Sequence, residues 1–201
     1  MSGTSPQEHE DVSDAASNPS RKIVYLMRGL PSCGKSYTAA RLAGESGVIC
    51  ETDQYFYTRP GDPSSYTYQD DQMEAARQWN FEQFCKAVDE GRSPVIVDRG
   101  NSRSVESKVY IQYARERGYE VQLREPESDW WREIRVLLKY KQYTGPVLDL
   151  WAERLAKLNR QTHRTSAKVI RRWMEHWKYD LTIEDILNVG ESVESTSGTS
   201  D

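Results

Sequence analysis

Gly29-Leu30-Pro31-Ser32-Cys33-Gly34-Lys35-Ser36 is a complete G-x-x-x-x-G-K-[ST] loop. The apolar run Ile23-Val24-Tyr25-Leu26-Met27 leads into it, and a helix-forming run, Tyr37 to Ala43, leads out. Strand, glycine loop and helix in that order are the context in which this motif holds phosphate. Successive backbone N–H groups and the helix N-terminus aim partial positive charge at one point, which suits a triphosphate. At average residue frequencies roughly 1 chain in 100 of this length would carry the pattern by accident. The candidate nucleotide-binding set is therefore Gly29, Leu30, Pro31, Ser32, Cys33, Gly34, Lys35, Ser36 and the adjoining Tyr37. Lys35 is placed to reach the β- and γ-phosphates, and the Ser36 hydroxyl to coordinate Mg²⁺. The competing reading is a tight turn with a capped helix.

Outward from the loop, strand and helix patterns alternate. After helix 35–46, the run Val48-Ile49-Cys50 ends at Thr52-Asp53 and reads as a second strand. Residues 54–69, with Tyr, Pro, Gly and Ser, read as a loop. Asp70 to Glu90 is helical and is closed by Gly91. Pro94-Val95-Ile96-Val97 is a β-branched strand ending at Asp98. Ser102 to Arg117 is helical, and Tyr119 to Leu123 is the next strand. Helical patterns fill Ser128 to Leu187, with breaks near Thr144-Gly145-Pro146 and near Asn159 to Thr165. Strands separated by helices predict right-handed βαβ units and an α/β three-layer sandwich: a parallel sheet covered on both faces, with a helical C-terminal lid over about 146–178. Ligands sit at the carboxyl ends of such strands. Gly29, Asp53 and Asp98 all fall there.

Asp98 ends its strand where a Mg²⁺-holding carboxylate is expected. The other reading is a cap for the helix that follows. Asp53 is the candidate base for an acceptor hydroxyl, against a carboxylate that caps the turn Gln54-Tyr55. Arg160 and Arg164 lie in the break between two lid helices, where closure over ATP could bring an arginine onto the phosphates, and Arg160 is the chosen candidate. Trp79, Phe81, Phe84, Trp130 and Trp131 read as packing anchors. Tyr55, Phe56, Tyr57, Tyr66 and Tyr68 crowd the loop after Asp53, either to stack on a base or to pin the loop. Cys33 sits near a helix N-terminus, a setting that lowers a thiol pKa, so a redox switch there stands beside the plainer role of small spacer.

Composition limits the partners. Residues 1–20 hold Glu8, Glu10, Asp11 and Asp14 and residues 188–201 hold Glu191, Glu194 and Asp201, with no Lys or Arg in either segment. Removing these seven acids from the net charge of −4 leaves residues 21–187 at +3. Both ends are rich in Ser, Thr, Gly and acids and read as disordered tails around one domain, 21–187. A core charge of +3 gives little support for broad nucleic-acid binding. No apolar stretch is long enough to span a bilayer and the N-terminus lacks signal-peptide regions, so no membrane partner is expected. Cys33, Cys50 and Cys85 have no C-x-x-C spacing, which favours reduced thiols and a cytoplasmic setting. His9, His163 and His176 make no zinc pattern.

The chain resembles the P-loop kinases typified by the 5′-hydroxyl polynucleotide kinases, together with the NEDD4-binding-protein-2-like ATP-binding (AAA-type) domains. The likeness runs through most of 22–187. Arg28 to Ser36 looks like the family's R-G-L-P-G-S-G-K-S, Thr52-Asp53-Gln54-Tyr55-Phe56 is similar to T-D-D-Y-F, and Ala76 to Asn80 looks like A-H-x-W-N. Ser93 to Asn101 is similar to S-P-V-I-V-D-N-T-N, Glu125-Pro126 with Trp130-Trp131 to E-P-x-x-x-W-W, and Arg160 to His163 to the lid's R-N-x-H. The resemblance implies ATP and Mg²⁺ as cofactors, Asp53 as general base, Lys35 and Arg160 as catalytic cations, and a hydroxyl acceptor such as a polynucleotide 5′-end. The departures are Ser32 for the second loop glycine, Arg77 for the family histidine, Arg99-Gly100 for Asn-Thr, Arg164 for a glycine, and an extra stretch at about Val136 to Trp151. They cluster on the acceptor side, where Arg77, Arg99 and Asn101 are the candidate contacts. Three functions follow as expectations: a kinase for a polynucleotide end, a kinase for a small metabolite or sugar nucleotide, and an ATP-binding regulatory module without transfer.

Overall fold

The computed structural model describes residues 21–59, 62–99, 104–159 and 165–188. Strands β1 (Ile23–Met27), β2 (Val48–Glu51), β3 (Val95–Asp98) and β4 (Glu120–Arg124) form one sheet in the order β2-β3-β1-β4. Every pairing is parallel, with Tyr25 opposite Ile96, Leu26 opposite Leu123, and Glu51 opposite Asp98. Helices α1 (Lys35–Ala43), α2 (Met73–Asp89) and α3 (Ser104–Glu116) make the crossovers. β1, β2 and β3 are short and largely apolar, and all four residues of the inner strand β3 are buried, because both faces are covered there, whereas the edge strand β4 reads EVQLR.

The two faces have separate cores. Val24, Leu26, Val95, Val97 and Val121 pack against Phe84 and Val88 of α2, against Tyr110, Ile111 and Ala114 of α3, and against Ile186. On the opposite face Met27 and Ile96 pack against Ala39 and Ala43 of α1, where small side chains let the helix lie close to the sheet. Ile186 belongs to α7 (Ile183–Leu187), which is held by a capping box between Thr182 and Asp185. One buried polar pair crosses the first core: Tyr110 Oη donates to Asn80 Oδ1 at 2.7 Å.

The C-terminal helices α4 (Asp129–Lys139), α5 (Gly145–Asn159) and α6 (Ala167–Glu175) build a third core. Trp131, Ile134 and Leu138 of α4 meet Leu148, Ala152 and Leu155 of α5 and Ile170 and Met174 of α6, and Leu30 and Cys33 of the glycine loop lie in the same cluster. The helical unit and the loop thus share one interior. Among the described residues no helix is long and apolar enough to cross a membrane.

An ion cluster fixes this unit to the strand tips. Arg28, directly after β1, is 3% exposed and pairs with Glu125 at 2.9 Å. Its guanidinium lies 3.8 Å from the Trp177 ring centroid and donates to the Lys178 carbonyl. Glu125 also holds Arg135 of α4 at 2.7 Å and accepts from the Trp131 indole at 3.3 Å. Burial lowers the Arg28 pKa and the Glu125 carboxylate opposes that shift. A guanidinium tolerates such a site because it stays charged and stacks on aromatic faces.

Candidate functional site

The glycine loop runs from the tip of β1 to α1, whose first turn carries no acid to offset its positive end. Its two motif glycines are required for different reasons. Gly34 has φ of 86°, the left-handed region. At Gly29 a Cβ would meet the Pro126 ring at 2.9 Å. Lys35 Nζ donates to the Leu30 carbonyl at 3.0 Å, folding the ammonium back along the loop. An ammonium has three protons, so donors remain for a bound anion. From the start of α4, Ser128 Oγ donates to the Cys33 carbonyl at 2.9 Å and Trp130 Nε1 to the Ser32 carbonyl at 3.0 Å.

A cavity of about 1070 Å³ opens over this loop. It is lined by Gly29, Leu30, Pro31, Ser32, Gly34, Lys35, Ser36 and Tyr37, and also by Asp53, Asp98, Arg77 and Arg99. Most of the residues that sequence reasoning selected therefore face one space. Cys33 does not. It is fully buried toward the helical core, and burial pushes its thiol up to about 12 despite the nearby Lys35. This corrects the expectation of a lowered thiol pKa and removes the redox switch. Arg160, Arg164 and Asn101 lie outside the described residues. Helices α5 and α6 bring Trp151, Arg154, Leu158 and Trp173 to the cavity, and Thr165 reaches it from just before α6.

Three carboxylates converge below the loop. Asp98 and Glu51 are register partners at the tips of β3 and β2, and Asp53 is the second residue of a 3₁₀ turn, Thr52–Phe56, that follows. Glu51 was missed by sequence reasoning, although its place two residues before Asp53 was a usable signal. Burial, then the charges of Asp98 and Asp53, push its carboxyl up to about 7, while Lys35 opposes. Asp98 is 5% exposed, and among the described residues its Oδ2 has no hydrogen-bond partner. A buried carboxylate oxygen left over in a field of like charge fits a cation. Among the described residues no three His, Cys, Asp or Glu side chains cluster as a complete metal cage. Ser36 and Asp98 line the same cavity and offer oxygen donors, the ligand type that hard cations such as Mg²⁺ take.

At the acceptor end, Tyr66 Oη donates to Asp53 Oδ1 at 3.4 Å. Burial and the Asp53 charge raise the Tyr66 phenol, which keeps it a donor. The aromatic loop packs on itself: Phe56 is buried against Tyr55, Tyr66 and Tyr68, which accounts for a pinned loop, and Tyr68 alone of these reaches the cavity. Arg99 pairs with Glu106 of α3 at 2.8 Å, and Arg77 approaches the same carboxylate at 3.9 Å. Trp131 is buried as expected, but Trp130 is 40% exposed and leans on the loop.

The family model described as AAA domain matches residues 24–131, from β1 through the start of α4. The chain belongs to the AAA domain family. Its P-loop makes it a nucleotide-binding domain. The AAA domain is 31% identical to NEDD4-binding protein 2 of Homo sapiens over 176 residues, which are 86% of this chain and 9% of that protein. It is 30% identical over 149 residues to YLP motif-containing protein 1 of Homo sapiens, covering 61% of this chain and 7% of that one. The chain thus spans less than a tenth of either relative. A chain of the Pnkp1/Rnl/Hen1 RNA repair complex aligns with a TM-score of 0.46 at 13% identity, over 81% of this chain and 46% of that chain.

Proposed function

We propose that this AAA domain is an ATP-dependent phosphotransferase that moves the γ-phosphate to a hydroxyl acceptor. The observation that supports it is the shared cavity, lined by Lys35 and Ser36 of the phosphate loop, by Asp98 at the tip of β3 and by Asp53 in the turn after β2. Binding would place the triphosphate against the loop amides and the α1 N-terminus, with Lys35 swinging from the Leu30 carbonyl onto the β- and γ-phosphates. Ser36 and Asp98 would hold Mg²⁺, whose contribution when bound is to neutralise charge on the phosphate oxygens. Asp53 would accept the proton of the acceptor hydroxyl as its oxygen bonds to the γ-phosphorus and ADP departs. Arg160 is proposed to add positive charge at the migrating phosphoryl from the lid. The α5–α6 unit would exclude water from the site.

The polynucleotide 5′-end is the first acceptor to test, on the family resemblance. A small metabolite or sugar-nucleotide hydroxyl is the second reading, and one observation favours it. Arg77 pairs with Glu74 and Arg99 with Glu106, so each of these two described cations at the acceptor end already faces a carboxylate and little positive charge is left for a polyanion there. Incubation with γ-labelled ATP separates the readings. Label on an oligonucleotide end supports the first, and label in a metabolite pool supports the second. Binding without transfer to either would leave a regulatory module. Asp53→Asn should abolish transfer and keep ATP affinity, and unimpaired turnover in that variant would remove Asp53 from the chemistry.

A further inference from the structure

Ser32 is the point at which this loop departs from the glycine pattern that it resembles. Its φ is 58°, and among the described residues it is the one non-glycine residue in the left-handed region. A side chain there crowds the backbone, so the turn relaxes unless something holds it. Two bonds from the start of α4 hold it. The Trp130 indole N–H grips the Ser32 carbonyl and the Ser128 hydroxyl grips the Cys33 carbonyl. In a trans peptide the C=O and N–H point in opposite directions. Fixing those two carbonyls toward α4 turns the amides of Cys33 and Gly34 away from it. In the motif these are among the amides that point at phosphate, while the Cys33 side chain turns the other way, into the helical core. Trp130 is 40% exposed and lines the cavity, while its neighbour Trp131 fills the core.

We infer that Trp130, supported by Ser128, is a positioning residue of the phosphate site, whose indole N–H holds a serine turn that glycine would adopt without help. The inference rests on reading the loop as a phosphate cradle. It concerns the geometry of the loop amides and makes no use of the nucleobase, so it extends equally to a bare phosphate chain.

The test is a double-mutant cycle with wild type, Trp130→Phe, Ser32→Gly and the double variant, each titrated calorimetrically with Mg·ATP and with Mg·pyrophosphate after a melt has shown it folded. Trp130→Phe keeps an aromatic ring and removes the donor. It should weaken both ligands equally, by about fivefold for one lost hydrogen bond. In the Ser32→Gly background the same substitution should cost less than about twofold, because glycine enters the left-handed region freely. Equal losses in both backgrounds would overturn the inference. So would a loss confined to ATP, which would mean that the ring meets the base. Wild type binding neither ligand removes the phosphate site and the positioning role together. Wild type binding both, with Trp130→Phe unchanged, removes the positioning role alone.

Discussion

Gly29→Ala tests how tightly the phosphate loop is seated. Its added Cβ would lie 2.9 Å from both Cδ and Cγ of Pro126 and 3.3 Å from Lys35 Cγ. Carbon atoms in good contact sit about 3.5–4.0 Å apart, so the overlap is roughly half an ångström or more. Lys35 can swing aside, but Pro126 is a ring that follows Glu125, and Glu125 is held by Arg28, Trp131 and Arg135. The strain therefore falls on the loop itself. Overpacking of this kind costs about 1–3 kcal/mol. For a domain of this size each kcal/mol moves the melting midpoint by about 2–4 °C, so a drop of roughly 2–12 °C is expected. Thermal unfolding and Mg·ATP titration should both register it. Pro126→Ala deletes the two clashing carbons, so it should recover most of the loss in the Gly29→Ala background. A Gly29→Ala chain melting with wild type, or a double variant with no recovery, would refute the steric argument.

Two further outcomes follow from the ion cluster and the carboxylates. Arg28→Met removes the cation shared by Glu125, the Trp177 ring and the Lys178 carbonyl; Glu125 keeps Arg135, so the loss should be that of one charged hydrogen bond, about 1.5–3 kcal/mol, which a denaturant titration would read. Glu51 is raised from 4.5 to about 7 in the folded chain, so the metal-free fold binds a proton more tightly than the unfolded chain does. Stability from this group is fully present below pH 4.5 and is lost as pH rises through 7, by on the order of 3 kcal/mol. Melts of the EDTA-treated chain across that window should show the slope, and Glu51→Gln should flatten it.

The sheet was legible because β1, β2 and β3 are short apolar runs and β4 alternates polar with apolar residues, with helical stretches between them. Ile23–Met27 stops at the glycine loop, and Val95–Val97 stops at Asp98, so the strand tips and their acids could be placed together. The order β2-β3-β1-β4 was not legible, since it depends on pairings between distant segments. The setting of the Cys33 thiol, though not its reading as a small spacer, was misjudged for a related reason. Its distance along the chain from α1 is visible in the sequence, but the helical core into which it turns is assembled from Trp131, Leu155 and other residues more than ninety positions away. Arg77 and Arg99 looked like unclaimed cations, and their common partner Glu106 lies on a different element. Trp130 looked like a packing anchor because neighbouring tryptophans at a helix start do not reveal which ring faces inward.

The central claim is that the loop amides and Lys35 grip a triphosphate. Calorimetric titration of Mg·ATP into wild type and Lys35→Ala tests it most directly. Saturable binding by wild type, weakened by at least about tenfold in Lys35→Ala, is the predicted result. Absence of heat with a demonstrably folded wild-type chain, or full affinity in Lys35→Ala, would contradict it.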